Sequence, residues 1–214
     1  MGRRSQAGVS LVELMVGLAL GLFIAAAAFT AVVAQWREHR HATLALRLQQ
    51  DLRSAADVIS RDLRRAGHWA APAASAANPY AAFAPQGAAS DAASYAYSRD
   101  TAENHTLDSA EQFGLRLRRG VIELQLGAGA WQALTDAGAL VVTEFSLAPR
   151  EQSVSLLEHC PRECADGALC EALVSVRRVA LRIAAHTAED TSLRRRVDTL
   201  VRLRNDDVAG ACPA

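Results

Sequence analysis

The chain has 214 residues, half of them hydrophobic, and its 23 basic and 23 acidic residues give a formal net charge of zero. This length suits one ordinary domain plus a membrane segment, and a neutral chain has no overall field to attract nucleic acid or acidic lipid. Every basic residue is arginine, which excludes mechanisms that need a lysine, such as a phosphate-loop lysine, a Schiff base or a Ser-Lys dyad.

The N-terminus combines a short basic leader with a long apolar run. Arg3 and Arg4 lie within the first eight residues, and residues 14–34 are 21 consecutive uncharged, mostly apolar residues. At about 1.5 Å per residue, a helix of this length crosses a bilayer core of about 30 Å. Because positive residues flank the cytoplasmic ends of membrane segments, the leader is predicted to lie in the cytoplasm and the rest of the chain outside it.

One acid, Glu13, stands at the head of this apolar run. A charged side chain in a membrane helix costs about 2.5–3.5 kcal/mol on insertion scales, so an acid here predicts a function and a positively charged partner. An ordinary signal peptide is one alternative, with residues 9–24 as its apolar core and residues 25–28 as its cleavage site. The apolar core of a signal peptide that is removed does not need an acid such as Glu13, however. The helical pattern also continues past the alanines at residues 25–28. A plain uncleaved anchor also leaves Glu13 without a role.

The stretch Gly8-Val9-Ser10-Leu11-Val12-Glu13-Leu14-Met15 resembles the cleavage and methylation motif of type IV prepilins. In that family a peptidase cuts after the glycine on the cytoplasmic side and leaves the apolar helix attached. The resemblance implies that residues 1–8 are a leader peptide ending at Gly8 and that Val9 becomes the N-methylated terminus. It also implies that Glu13 pairs with the terminal amine of a neighbouring subunit. Val9 departs from the phenylalanine or methionine that is usual there.

The helix is predicted to continue beyond the membrane segment, residues 9–36, through an amphipathic segment, residues 37–66. Apolar residues in this second part recur every three or four positions, as on one face of a helix. They are Leu44, Leu48, Leu52, Ala55, Ile59, Leu63 and Ala66. Gly67 offers a left-handed stop, and Pro72 prevents the helix from resuming.

Residues 67–111 are predicted to be an irregular, Ala/Pro-rich connection. Alanine dominates residues 70–98, and three prolines interrupt any helical or strand period there. A connection of this length is either a contact surface specific to this subunit or a permissive insertion.

The remaining residues, 112–214, are predicted to be an antiparallel β-sheet head with a cysteine-rich loop. Apolar and other residues alternate over 113–117 and 122–126, and Arg119-Gly120 between them predicts the turn of a hairpin. Further strands are predicted at residues 131–134, 140–147, 174–183 and 197–203. The apolar positions change from even to odd at Arg177-Arg178, which predicts a bulge or a bend there.

A long helix followed by antiparallel strands is an α+β fold in which the helix lies across the sheet. This is also the pilin-like fold. Two further stretches, residues 59–69 and 201–205, make the chain most similar to the PilW type of minor pilin.

Four cysteines lie in the C-terminal quarter of the chain: Cys160, Cys164, Cys170 and Cys212. Because the head is expected in an oxidising compartment, the even count predicts two disulfides. Three pairings are possible; we expect one bridge to close the loop between Cys160 and Cys170 and another to tie Cys212 back to it. A zinc site is the alternative, but C-x3-C-x5-C with a distant fourth ligand is poor zinc spacing.

The pilin resemblance implies a structural function and no cofactor. The chain would be a minor pilin that is cut by prepilin peptidase and packed into a type IV pilus, at its tip, through the N-terminal helix. Expected partners are other minor pilins, the major pilin and a tip adhesin. Expected locations are the inner membrane, with the head in the periplasm, and then the pilus at the cell surface.

Three alternative functions can be compared with this one. A type II secretion pseudopilin of the J kind has the same layout. An anchored enzyme finds no support, because the sequence lacks G-x-S-x-G, H-E-x-x-H and the dinucleotide glycine motif.

The third alternative, a DNA-uptake pilin, needs an exposed basic stripe. The sequence could supply one, if the strands are adjacent, from Arg177, Arg178, Arg194, Arg195, Arg196, Arg202 and Arg204. Acids flank the central arginines and no aromatic residues are interleaved with them, so we predict no nucleic-acid partner.

Overall fold

The computed structural model describes residues 8, 10–70, 77–127, 129–158, 162–163, 169–170, 172–204 and 206–209, and only the backbone of residues 162–163, 169–170 and 207–209. The chain divides into two compact units, Met1–Leu44 and Ala45–Ala214. The first element, helix α1, spans Leu11–Leu63 and continues across the boundary between the units. The predicted long N-terminal helix is therefore confirmed.

The first unit contains the apolar part of α1. This part is long and apolar enough to cross a membrane, with a mean hydropathy of 2.4 over 18 residues, and none of that stretch is buried within the chain. Composition and length alone give this result, and a signal sequence would pass the same test. The acid at its start and the continuation of the helix to Leu63 separate the two cases.

The second part of α1 buries the predicted apolar stripe. Leu48, Leu52, Ile59 and Leu63 are each at most 2% exposed. Their spacing of three and four places them on one face of the helix, and burying each large apolar side chain contributes about 1.5–3 kcal/mol. Leu44, at the start of the stripe, is half-buried.

The helix ends in a turn in which Gly67 has the left-handed conformation, with φ of 79°. Its N–H donates to the carbonyl oxygen of Ala96 at 2.8 Å, which ties the end of the helix to the first sheet. A β-carbon at Gly67 would lie 2.9 Å from a guanidinium nitrogen of Arg177 and 3.3 Å from the carbonyl oxygen of Arg204. The left-handed conformation therefore favours glycine at this position, and a β-carbon would also make the Arg177 guanidinium and the backbone at Arg204 shift.

We predict that Gly67→Ala lowers the free energy of unfolding more than Gly87→Ala does. Gly87 has nearly the same φ, 78°, but a β-carbon there would meet no atom within 4 Å. The left-handed conformation should cost about 1–2 kcal/mol in both variants, and crowding should add about 1–2 kcal/mol at Gly67 alone. Thermal unfolding of the detergent-solubilised chain measures the difference. Equal midpoints for the two variants would show that the atoms around Gly67 can shift to accommodate a β-carbon at no cost in stability.

The first sheet is a five-stranded antiparallel sheet in the order β1-β2-β3-β4-β5. Its strands are β1 (Phe83–Ala84), β2 (Ala92–Ala96), β3 (Gln112–Arg118), β4 (Val121–Leu126) and β5 (Trp131–Ala133). The predicted hairpin is confirmed, because Arg118 pairs with Val121 and both turn residues, Arg119 and Gly120, have positive φ.

The second sheet is built around one long central strand. Its strands are β6 (Leu140–Ser155), β9 (Leu173–Thr187), β10 (Arg194–Arg202) and β11 (Asp207–Ala209), with β6 on one side of β9 and β10 and β11 on the other. A separate two-stranded ribbon pairs β7 (Arg162–Glu163) with β8 (Leu169–Cys170). The head thus contains two larger sheets where the sequence predicted one.

The prediction that residues 67–111 form an irregular connection is wrong for β1 and β2. Strand β2 pairs with β3 over five residues and buries Ala93 and Tyr95, with the neighbouring Tyr97 also buried. The sequence signal was hidden because three of the five residues of β2 are alanine, which is uncommon in strands.

Of the bulge or bend predicted at Arg177-Arg178, the bulge is wrong, and the bend stays a prediction. The pairing of β6 with β9 runs through Arg150 and Arg178 without a shift, and the single irregularity that the structure records along this pair lies between Val142 and Glu144. The apolar pattern changes phase because Val176 is half-buried on one face of a regular strand and Val179 is buried on the other.

A single core joins the second part of α1 to both larger sheets. It includes side chains from the helix, the first sheet and the second sheet: Leu52, Ile59, Leu63, Tyr95, Phe113, Leu115, Ile122, Leu147, Leu181, Ile183 and Val201. The sheets are linked directly, because Ser90 and Leu147 exchange backbone hydrogen bonds of 3.1 and 2.8 Å. The α+β, pilin-like fold is confirmed.

Candidate functional site

The predicted cleavage position lies immediately before α1. Gly8 is exposed, and no heavy atom of the described residues lies within 4 Å of the position that its β-carbon would occupy. Val9 lies outside the described residues. An open glycine peptide that precedes a helix leaves its backbone accessible to a peptidase.

Glu13 lies in the first turn of α1 and is exposed. The helix starts with the N–H of Leu14 donating to the carbonyl oxygen of Ser10 at 3.0 Å, so Glu13 lies beside the positive end of the helix dipole. That dipole favours a negative charge by about 0.3–1 kcal/mol at an exposed site, which is less than an acid costs in lipid. The helix alone therefore does not compensate for the acid.

The apolar part of α1 presents large side chains that are not covered by the chain itself. Leu11, Phe23 and Phe29 are 73%, 75% and 70% exposed. The hydroxyl of Thr30 donates to the carbonyl oxygen of Ala27 at 2.8 Å, so this polar group needs no water. A β-carbon at residue 17 or 21, both glycines, would meet no atom of the described residues within 4 Å beyond the adjacent helix backbone, so the helix is open to a neighbouring helix there. Lipid or other helices must cover this surface.

The end of α1 is held to the first sheet by a carboxylate between two tyrosines. Asp62 accepts a hydrogen bond from the hydroxyl of Tyr95 and another, of 3.0 Å, from the hydroxyl of Tyr97. Burial, with the Asp62 charge as the next cause, raises the pKa of Tyr97 to about 12 and that of Tyr95 well above its usual range. Both hydroxyls therefore stay protonated and donate at any physiological pH.

We predict that Asp62→Ala lowers the free energy of unfolding by about 2–4 kcal/mol, because two hydrogen bonds to a charged acceptor are lost and the Tyr95 hydroxyl stays buried. The midpoint of thermal unfolding should fall by about 5–10 °C. Asp57→Ala is the matched control, since Asp57 is exposed on the same helix and should change stability by less than about 0.5 kcal/mol. A midpoint for Asp62→Ala no lower than that of the control would contradict the assigned role.

A buried polar cluster orders the second half of the connection, and the sequence analysis missed it. Glu111 is 1% exposed and accepts hydrogen bonds from the N–H groups of Arg99 at 2.8 Å and Asp108 at 3.0 Å. The fully buried Tyr80 donates its hydroxyl to Glu103 at 2.9 Å. Asp108 and Glu111 have the capping-box spacing, which was the available signal. This part of the connection is packed into the head.

The arginines considered as a DNA-binding stripe are brought onto adjacent strands, but acids interrupt them. Arg182 and Arg196 both bind Asp198, each at 2.7 Å, and Arg202 forms an ion pair with Asp206. The hydrogen bond from Arg182 lowers the pKa of Asp198, which therefore remains charged. A phosphate backbone lying along this face would meet negative as well as positive side chains.

The cysteine prediction lies mostly outside the described residues. Cys160, Cys164 and Cys212 are not described, and of Cys170 the structure describes only the backbone, which pairs with Arg162. The two disulfides stay a prediction. Within the part of the chain that the structure describes, no three His, Cys, Asp or Glu side chains are placed to hold a metal ion.

Comparison with protein families gives two matches. The family described as prepilin peptidase-dependent protein B matches residues 41–203. The family described as the prokaryotic N-terminal methylation motif matches residues 3–29 and so includes Gly8, Val9 and Glu13. No curated protein and no solved structure matches the chain.

Proposed function

Because the chain belongs to the prepilin peptidase-dependent protein B family, which makes it a pilin-like structural protein rather than an enzyme, we propose that it is a minor pilin that helps to initiate a type IV pilus. The proposal comprises three steps. The apolar part of α1 enters the inner membrane, prepilin peptidase cuts after Gly8 and Val9 is methylated, and the mature subunit packs into the tip of the filament.

The observation that carries this proposal is the combination of an exposed apolar helix with an acid at its head. Glu13 and the large side chains that follow it are covered by nothing in the described part of the chain. In the membrane, lipid covers the apolar side chains but gives Glu13 no counter-charge. In a bundle of pilin helices, neighbouring helices cover the same side chains, and the free terminal amine of a neighbour supplies the counter-charge. Assembly therefore relieves the cost of the acid.

The head has a separate role in this proposal. Its core includes one face of the second part of α1, while Asp62 and Gly67 hold the end of the helix to the first sheet. A rigid head on the assembly helix determines which neighbouring subunits fit. We propose other minor pilins, the major pilin and a tip adhesin as those neighbours.

We expect the chain in small amounts in filaments sheared from cells, and we expect deletion of its gene to reduce the number of pili. Immunodetection in the sheared fraction and counting of pili by electron microscopy test this. The secretion of type II substrates, measured in the same deletion strain, tests the alternative. Normal pili with lost secretion would identify a pseudopilin of the J kind instead.

A further inference from the structure

Three arginines lie side by side on the second sheet. Arg150 of β6 pairs with Arg178 of β9, and Arg178 pairs with Arg202 of β10. Val179 and Val201, the neighbours of Arg178 and Arg202 in the chain, are buried in the core. Because successive side chains of a strand point to opposite faces, the three arginines occupy the face away from the core. We call these three residues the arginine row.

The positive charge of the arginine row is only partly balanced. Like charges directly opposite each other in a sheet are unfavourable. Among the described residues, Arg202 has a carboxylate partner, Asp206, whereas Arg178 donates to the neutral amide of Gln152 at 2.9 Å. Arg150 is exposed and makes no side-chain hydrogen bond or ion pair within the described part of the chain. The row therefore favours an added anion.

A recess lined by both apolar and polar side chains borders the arginine row. The next set of paired residues on the same face is Ala148, Ala180 and Leu200. Leu200 is 57% exposed, and it lines a depression of about 520 Å³ together with the two small alanines. The charged side chains of Arg150, Arg182 and Asp198 also line this depression. An exposed leucine beside a recess with a positive border resembles the apolar centre and charged rim of a protein interface.

We propose that the arginine row and this recess form a docking site for a neighbouring filament subunit that presents a carboxylate beside an aliphatic side chain. The inference rests on the proposed function, because that function supplies the neighbour. The carboxylate binds between Arg150 and Arg178, where guanidinium groups can hold both of its oxygens. The aliphatic side chain fills the recess against Leu200.

The neighbouring acids and the exposed Leu200 favour a protein over a nucleic acid at this site. Glu144 and Asp198 lie on the same face, both near Arg182, and would repel a phosphate backbone that extended past the arginine row. The exposed Leu200 cannot bind phosphates, but it can make an apolar contact with an aliphatic side chain of a neighbouring protein. A single carboxylate needs only the short stretch between Arg150 and Arg178.

Photo-cross-linking of the full chain in pilus-forming cells tests this docking site. Benzoylphenylalanine replaces Leu200, filaments are sheared after illumination, and the cross-linked peptide is mapped. We expect a peptide of another filament subunit with an Asp or Glu within a few residues of the attachment point. Arg150→Glu should lower the cross-linked yield about tenfold, because the introduced glutamate would repel the carboxylate of the neighbouring subunit.

A matched control separates the site from general charge effects. Arg118 is exposed on the first sheet and has no side-chain partner within the described residues, so Arg118→Glu makes the same charge change elsewhere and should leave the yield unchanged. Changing the mapped acid of the neighbour to arginine should restore cross-linking to Arg150→Glu. Because Arg150 is exposed, the Arg150→Glu variant should lose its leader to prepilin peptidase as the unchanged chain does. It should also unfold at the same temperature as the unchanged chain.

The possible results separate the two proposals. If the chain is present in filaments but position 200 cross-links to no filament subunit, or if Arg150→Glu leaves the yield unchanged, the docking site is wrong and the pilin function stands. Cross-linking to duplex DNA that is lost in Arg150→Glu would also overturn it, in favour of a nucleic-acid site. Absence of the chain from filaments would overturn both.

Discussion

We expect Gly8→Val to stop removal of the leader. Nearly all molecules of the variant should keep residues 1–8, whereas almost none of the unchanged protein should. Gly8 is exposed and open, so a larger side chain should not disturb α1. A β-branched side chain beside the bond to be cut hinders close approach of the peptidase to the backbone. The intact mass of membrane-extracted protein measures the retained fraction, and the uncut chain should be missing from sheared filaments.

Gly2→Val is the control for this prediction. It adds the same side chain to the same leader, but it lies six residues before the predicted cleavage position. We expect its leader to be removed normally. If Gly8→Val is cut as fully as Gly2→Val, the cleavage position is not the one that the motif indicates.

We expect Glu13→Ala to leave membrane insertion intact and to reduce incorporation into filaments about tenfold or more. Removing an intramembrane acid lowers the cost of insertion by about 2.5–3.5 kcal/mol, so the membrane fraction should not fall. In the filament the same change leaves the amine of a neighbouring subunit without its counter-charge, and an unpaired charge in an apolar bundle is strongly destabilising. Quantitative immunodetection in membrane and sheared fractions measures both effects.

Glu38→Ala is the matched control for Glu13. Glu38 is an exposed acid on the same helix, but it lies beyond the apolar run and has no predicted partner in the bundle. Its removal should leave incorporation unchanged. Equal incorporation of Glu13→Ala and the unchanged chain would contradict the pairing role, whereas loss from the membrane would show that the acid acts in insertion.

The long helix and the first hairpin could be predicted because each has a strong local signal. The spacing of Leu48, Leu52, Ile59 and Leu63 is that of one helical face, and burial follows it residue by residue. Arg119-Gly120 is a turn signal between two alternating segments, and both residues adopt the positive φ that such a turn requires.

Features that depend on pairing between distant segments could not be predicted from local patterns. The arginine row needs the register of three strands, and Arg150 enters it from a part of β6 that the sequence analysis placed beyond the strand. Strand β2 has too many alanines to show a strand pattern, and Gly67 is crowded by Arg177 from β9, 110 residues later in the chain. In each case tertiary contacts outweigh local propensity.

The central claim is that an acid is tolerated at the head of a membrane helix because proteolysis frees a positive charge for it on another subunit. Terminal sequencing with intact-mass measurement of the native, membrane-extracted protein tests this claim most directly. We expect a chain that starts at Val9, carries one methyl group on its terminal nitrogen and retains Glu13. A soluble protein starting among residues 25–28 would contradict it, because both the amine and the acid would then have been discarded with the signal.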